Sequence, residues 1–163
     1  MGCGAVILKK ILIITYDDEY FRALSYIITK KNFEIKDNNF INYKSRAKNI
    51  LFTFLLNKQK WTWIHQFNGT YGTIIVYEGK DADNITELEN ILNSKVLQRR
   101  PLLLLFDKNK INSKDHQFIE TIRYNLSSKN IKMMIQFIDF SVNQNNSELL
   151  YGLDWLYQQI MVQ

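Results

Sequence analysis

A chain of 163 residues with 46% apolar and 23% charged residues is long enough to bury one sizeable core and too apolar to remain disordered. Cys3 is the only cysteine, and His65 and His116 are the only histidines, which excludes an internal disulfide and a cysteine-based zinc site; a reducing compartment and no metal or other cofactor are expected. The net charge of +5 permits acidic partners without requiring them, because 21 basic residues are scattered among 16 acidic ones, and no apolar run approaches the roughly 20 residues of a membrane span.

Apolar runs alternate with amphipathic ones, the order of an α/β domain with a largely parallel sheet. Residues 5–16 predict the first strand, after which Asp17, Asp18 and Glu19 open a helix on Phe21, Leu24, Ser25 and Ile28. Within the Asn- and Lys-rich stretch 29–49, residues 33–35 and 40–43 predict two short strands forming an antiparallel hairpin, and residues 49–56 predict another strand. Residues 73–77 predict a buried strand bounded by Gly72 and Gly79. The following helix, on Ile85, Leu88, Ile91, Leu92 and Val96, carries Thr86 and Glu89 at capping-box spacing near its expected start. Pro101 opens a strand over 102–106, and Ser113 is the expected cap of a helix on Phe118, Ile119, Ile122 and Leu126. Residues 133–138 predict a further strand. Ser147 is expected to start a last helix on Leu149, Leu150, Leu153, Leu156 and Ile160. No repeat, linker or low-complexity segment divides the sequence, so residues 1–163 are expected to form one domain.

Three strings carry a family resemblance. Leu149-Leu150-Tyr151-Gly152-Leu153-Asp154-Trp155-Leu156 resembles the last helix of the ADP-ribosylation-factor (Arf and Arf-like) small GTPases. Trp63-x-His65-x-Phe67-x-x-Thr70-x-Gly72, running into Thr73-Ile74-Ile75-Val76-Tyr77, is similar to the segment that leads from that family's second switch into its fourth strand. Leu102 to Lys110 stands where the family has its guanine-reading strand and N-K-x-D loop. The resemblance implies a Rossmann-like small-GTPase (P-loop NTPase) fold, a mostly parallel six-stranded sheet with helices on both faces.

The departures from the family pattern bear on activity. A phosphate loop G-x-x-x-x-G-K-[ST] wraps phosphates with backbone N–H groups, adds a lysine charge and holds magnesium through a hydroxyl. The matching stretch is Thr15, Tyr16, Asp17, Asp18, Glu19, Tyr20, Phe21, Arg22 and Ala23, which lacks both glycines, the lysine and the hydroxyl, and sets three acids where anionic phosphates would sit. Arg22 reads as a helix-surface charge. Neither register of the second switch, residues 52–56 or 56–60, contains D-x-x-G-Q. The guanine loop is Asp107, Lys108, Asn109 and Lys110, with a lysine where the base-reading carboxylate belongs. Residues 142–144 lack the family's small alanine-containing motif.

Other clusters are weighed separately. Trp61, Trp63, His65 and Tyr71, with Phe67, form either a partner-binding surface or filling beside the sheet. Gly2 and Cys3 stand where dual acylation occurs, but Val6 occupies the position that myristoylation prefers as Ser or Thr. Lysines at 30–31, 44–48 and 58–60 interleave with aromatics, a pattern able to hold nucleic acid, yet no RNA-binding signature accompanies them. The resemblance and its departures together imply an inactive Arf-like pseudo-GTPase without cofactor or small-molecule substrate. It is expected to act as a structural or protein-interaction subunit of a large intracellular complex, in the cytoplasm or in a mitochondrial or ciliary assembly. The alternatives are a divergent nucleotide-binding regulator of trafficking or cilia and a basic RNA-binding accessory subunit.

Overall fold

The structure is a computed structural model describing residues 7–34, 40–57, 66–77, 82–94, 100–129, 131–141 and 146–162. In chain order the elements are β1 (Lys9–Thr15), α1 (Asp18–Thr29), β2 (Phe40–Ser45), β3 (Ile50–Leu56), β4 (Thr70–Tyr77), α2 (Ala82–Leu92), β5 (Leu102–Asp107), α3 (Ser113–Ser128), β6 (Met133–Ile138) and α4 (Ser147–Met161).

The strands form a single six-stranded sheet in the order β2-β3-β1-β4-β5-β6. Every pairing is parallel except β2 with β3. The central strands carry unbroken apolar runs, residues 11–14 of β1, 74–77 of β4 and 102–106 of β5, because both faces are covered there, the usual condition of a parallel sheet. Side chains of a strand alternate between faces. Thus Ile11 and Ile13 of β1 enter a core closed by α1 and α4, whereas Leu12 and Ile14 enter a second core closed by α2 and α3.

The hairpin expected within 29–49 is corrected. β2 pairs antiparallel with β3, from Phe40 opposite Leu55 to Ser45 opposite Ile50. The turn between them ends on Asn49 at φ 54°, a left-handed conformation that asparagine tolerates. Phe33 and Glu34 belong to no strand, and the Phe33 ring meets Tyr43 edge-on at 6.1 Å; Ile35 lies outside the described residues.

Three expected helix starts also move. Asn112, one residue before Ser113, caps α3 in a reciprocal box: its side chain accepts the Asp115 N–H at 3.0 Å and its own N–H donates to Asp115 Oδ2 at 3.0 Å. Asn146, one residue before Ser147, caps α4, accepting from Leu149 N–H at 3.3 Å and donating to the Asp139 carbonyl at 3.0 Å. In both places asparagine occupies the extended cap position and the serine is already helical. α2 begins at Ala82, which leaves Thr86 and Glu89 in its interior.

Helix α4 lies unusually close to the sheet. A Cβ on Gly152 would stand 2.9 Å from Leu103 Cδ1, and one on Gly72, which lies inside β4, would stand 3.1 Å from Leu156 Cδ1 and Ile160 Cγ2. At the far end of α4, Lys9 Nζ donates to the Ile160 carbonyl at 2.8 Å. That charge compensates the negative end of a helix whose last turn carries no basic residue. Among the described residues no helix is long and apolar enough to cross a membrane, and no group of three His, Cys, Asp or Glu side chains is placed to hold a metal ion.

Candidate functional site

In an open parallel sheet, ligands bind beyond the carboxyl ends of the strands, where the strand order reverses. Here the reversal falls at β1, which has β3 on one side and β4 on the other. The connections β1 to α1, β5 to α3 and β6 to α4 meet at this end.

The first connection is short, since only Tyr16 and Asp17 separate Thr15, the end of β1, from Asp18, the start of α1. Asp17 is the helix cap, and its Oδ1 accepts the Glu19 N–H at 2.7 Å. With Asp18 and Glu19 it sets acidic side chains at the positive end of the helix dipole. Thr15 is buried; its hydroxyl donates to the Leu55 carbonyl at 3.0 Å, and its carbonyl accepts from Asn57 N–H at 2.7 Å. Arg22 is exposed on α1.

Tyr20 and Phe21 are buried in the first turns of α1. Phe21 meets Phe54 edge-on at 6.3 Å. Tyr20 reaches across to β5, where its hydroxyl donates to Asp107 Oδ2 at 2.8 Å, and its ring packs 4.7 Å from that of Phe140. Asp107 is 6% exposed and accepts the Asn109 N–H at 3.0 Å through its other oxygen. Lys110 Nζ stands 4.0 Å from Asp107 and 4.9 Å from the centre of the Tyr20 ring. Asn109 Nδ2 in turn donates to Asp139 Oδ1 at 2.8 Å, an oxygen that also accepts from the hydroxyl and the backbone N–H of Ser141. The Ser141 hydroxyl foremost, then its N–H, Asn109 and the nearby Lys108 charge hold the Asp139 carboxyl below the usual carboxylate range.

These contacts make a clasp that joins the first turn of α1 to the end of β5 and to the connections that follow β5 and β6. A carboxylate that accepts a phenol and a backbone amide, with an ammonium alongside, has its charge balanced in place. The clasp residues Tyr20, Asp107, Asn109, Lys110, Asp139 and Phe140 tie α1 to the ends of β5 and β6.

The expected site residues fall into three groups. The phosphate-loop and guanine-loop residues come together through Tyr20 and Asp107, while Lys108, Asn109 and Lys110 form an exposed turn. Tyr71 lies at the amino ends of the strands, away from the clasp, with Lys9 Nζ at 5.4 Å and the Arg100 guanidinium at 4.9 Å from its ring centre. Trp61, Trp63, His65, Gly2 and Cys3 lie outside the described residues. Phe67 is buried in the core on the α2 and α3 side, and His116 is exposed on α3. The sequence reading missed Asp139 and Phe140 and the pairing of Tyr20 with Asp107. A signal for the last was present: Tyr20, Leu24 and Ile27 share one helical stripe, and a buried tyrosine hydroxyl needs a partner.

The sheet order, the single antiparallel edge pair and the helices on both faces match the Rossmann-like fold of the small GTPases. Among solved structures, the Arl6 BBS3 small GTPase from Trypanosoma brucei with bound nucleotide analogue GppNp superimposes with a TM-score of 0.65 over 95% of this chain and 98% of that one, at 14% sequence identity. Identity that low is a likeness of fold, and 587 solved chains share it; fold alone assigns no activity. No family model and no curated protein matches the sequence.

Proposed function

We propose that this chain is a pseudo-GTPase, an Arf-like fold without hydrolytic activity that serves as a structural or protein-interaction subunit of a larger assembly. The observation that carries the reading is the buried Tyr20, bonded to Asp107 and packed at a tilt against Phe140 at the carboxyl ends of the strands. A two-residue passage from β1 to α1 offers no run of backbone N–H groups to encircle a phosphate. The Glu19 N–H is already taken by Asp17, and three acids repel an anion approaching that helix end. Loops that in a switch protein depend on the γ-phosphate for order are here ordered by the clasp. The partners are proteins, and any membrane contact comes through them or through acylation at Gly2 and Cys3. The scarcity of cysteine fits a reducing intracellular compartment.

The test is thermal denaturation of the purified chain with GTP or GDP and magnesium. A nucleotide bound with a Kd one-hundredth of its concentration adds about 2.7 kcal/mol, which for a domain of this size raises Tm by about 5–10 °C. No shift is expected. A shift of several degrees, or nucleotide retained through purification, overturns the reading, whereas stoichiometric co-purification with a large protein partner supports the subunit role.

A further inference from the structure

Basic residues that are scattered along the sequence converge in space on one end of the molecule. The helices return from the carboxyl ends of the strands, so helix ends and the starts of the parallel strands share the pole opposite the clasp. Lys9 and Lys10 open β1, Lys30 and Lys31 follow α1, and Arg46 and Lys48 stand in the turn between β2 and β3. Arg100 precedes β5, and Lys129 and Lys132 flank the passage from α3 into β6. Nine of the chain's 21 basic residues thus share one pole, and no acid lies among the described residues of these segments. The opposite pole holds the acidic first turns of α1, α3 and α4 together with Asp107 and Asp139.

Helix dipoles account for part of this. A helix C-terminus attracts cations, which suits Lys30 and Lys129, the C-caps of α1 and α3, and Lys9, bonded to the Ile160 carbonyl. At about half a charge each, the four helix ends offset only about two of the nine charges. The remaining cations stand on turns and strand starts, and three are braced on rings: Lys31 lies 5.5 Å from the centre of Tyr43, Lys48 4.3 Å from that of Tyr157 and Arg100 4.9 Å from that of Tyr71. Taken in strand order, Arg46, Lys48, Lys9, Arg100 and Lys132 form a row that crosses the sheet from β3 to β6, four strand spacings or about 20 Å.

We infer that this pole holds the phosphate backbone of double-helical RNA, recognising its charge and shape without reading its bases. One strand of a duplex presents a phosphate about every 3 Å of axis, so a row of about 20 Å faces about six of them, enough to engage all five cations. Lysine is depleted from the cores of protein interfaces, whereas seven of the nine cations here are lysines. Tyr43, Tyr71 and Tyr157 are half-buried with cations on their rings. They therefore offer little for the bases of a single strand to stack on and are too buried to anchor in a bilayer interface. The helices arrive end-on and the turn over 46–49 is short, so neither a helix flank nor a ribbon is presented to the major groove of DNA; duplex RNA is recognised through backbone and shape. The inference adds to the protein contacts proposed above and does not depend on whether the crevice at the other pole takes a nucleotide.

Fluorescence anisotropy of the full chain with a labelled RNA duplex of about 20 base pairs, titrated from about 50 to about 200 mM salt, tests this. Five neutralised phosphates give a slope of log K against log salt of about −4.5, a loss of about 500-fold across that range, and duplexes of unrelated sequence should bind alike. Arg46→Gln and Lys132→Gln, exposed changes at opposite ends of the row, should each weaken binding about fivefold and lower the slope by about 1 without changing Tm. Lys114→Gln, exposed at the other pole, should leave binding unchanged. Absence of binding at the lowest salt overturns the inference, and so does an effect at only one end of the row. A loss with Lys114→Gln as large as those at the row also overturns it, because net charge alone would then explain the attraction. Preference for a DNA duplex, for vesicles rich in phosphatidylserine or for polyglutamate over the RNA assigns the pole to that partner and overturns RNA.

Discussion

Replacing Tyr20 by phenylalanine removes one oxygen and leaves the ring against Phe140. The lost bond is short, 2.8 Å, and dry, since Tyr20 is 1% and Asp107 6% exposed. A hydrogen bond to an ionised group contributes about 1.5–3 kcal/mol, and among the described residues the carboxylate left behind keeps the Asn109 N–H at 3.0 Å and Lys110 at 4.0 Å. Tyr20→Phe should therefore cost about 2 kcal/mol, a fall of about 4–8 °C in Tm for a domain of this size. Equilibrium urea unfolding of Tyr20→Phe, Asp107→Ala and the double variant closes a cycle in which the two changes couple by at least about 1 kcal/mol. Additive effects, or a Tyr20→Phe variant that melts with the parent, would show that the clasp does not hold the loops together.

Two further outcomes follow from buried contacts. Gly152→Ala gains about 1 kcal/mol of helix propensity but drives a methyl within 2.9 Å of the fully buried Leu103, an overpacking that costs about 1–3 kcal/mol; thermal melts should show a net loss of about 1 kcal/mol, and a rise in Tm would refute the close approach of α4. The Tyr77 hydroxyl is buried and has no hydrogen-bond partner among the described residues, and burial, followed by the charges of Asp115 and Glu89, pushes its pKa from 10.0 to about 12. Unfolded Tyr77 loses its proton first, so its contribution is intact below pH 10 and is lost as pH rises towards 12. Tyr77→Phe should raise stability at neutral pH by about 1 kcal/mol and flatten the alkaline decline, as read from urea unfolding across that range; a destabilised variant would mean that the hydroxyl has a partner.

Much of the fold is legible in the sequence because a doubly covered parallel sheet demands continuous apolar strands, and β1, β3, β4 and β5 supply them. The helices announce themselves through stripes such as Leu149, Leu153, Leu156 and Ile160. Helix caps shift by a residue where asparagine and serine are neighbours, as at 112–113 and 146–147, because either side chain suits the position and only backbone geometry chooses. The partner of β2 is misread because its register depends on the turn ending at Asn49, whereas the weak apolar pattern around Phe33 imitates a strand. The candidate site is legible as a set of missing residues and illegible as a set of new contacts. Tyr20 and Asp107 lie 87 positions apart, and local periodicity carries no information about pairs at that range.

The bond between Lys9 and Ile160 bears on how the molecule comes to exist. Those residues are 151 positions apart, and β1 lies between β3 and β4, so β1 has no finished surroundings until most of the residues after it have been made. At the usual pace of synthesis, about 5–20 residues per second, that interval lasts roughly 8–30 s. During it the apolar faces of β1 and α1 are uncovered, and contacts this distant in sequence close slowly. Until α4 is made, the sheet face that Leu149, Leu153, Leu156 and Ile160 cover stays open, so a chain cut before that helix should aggregate in sedimentation assays at concentrations where the full chain does not.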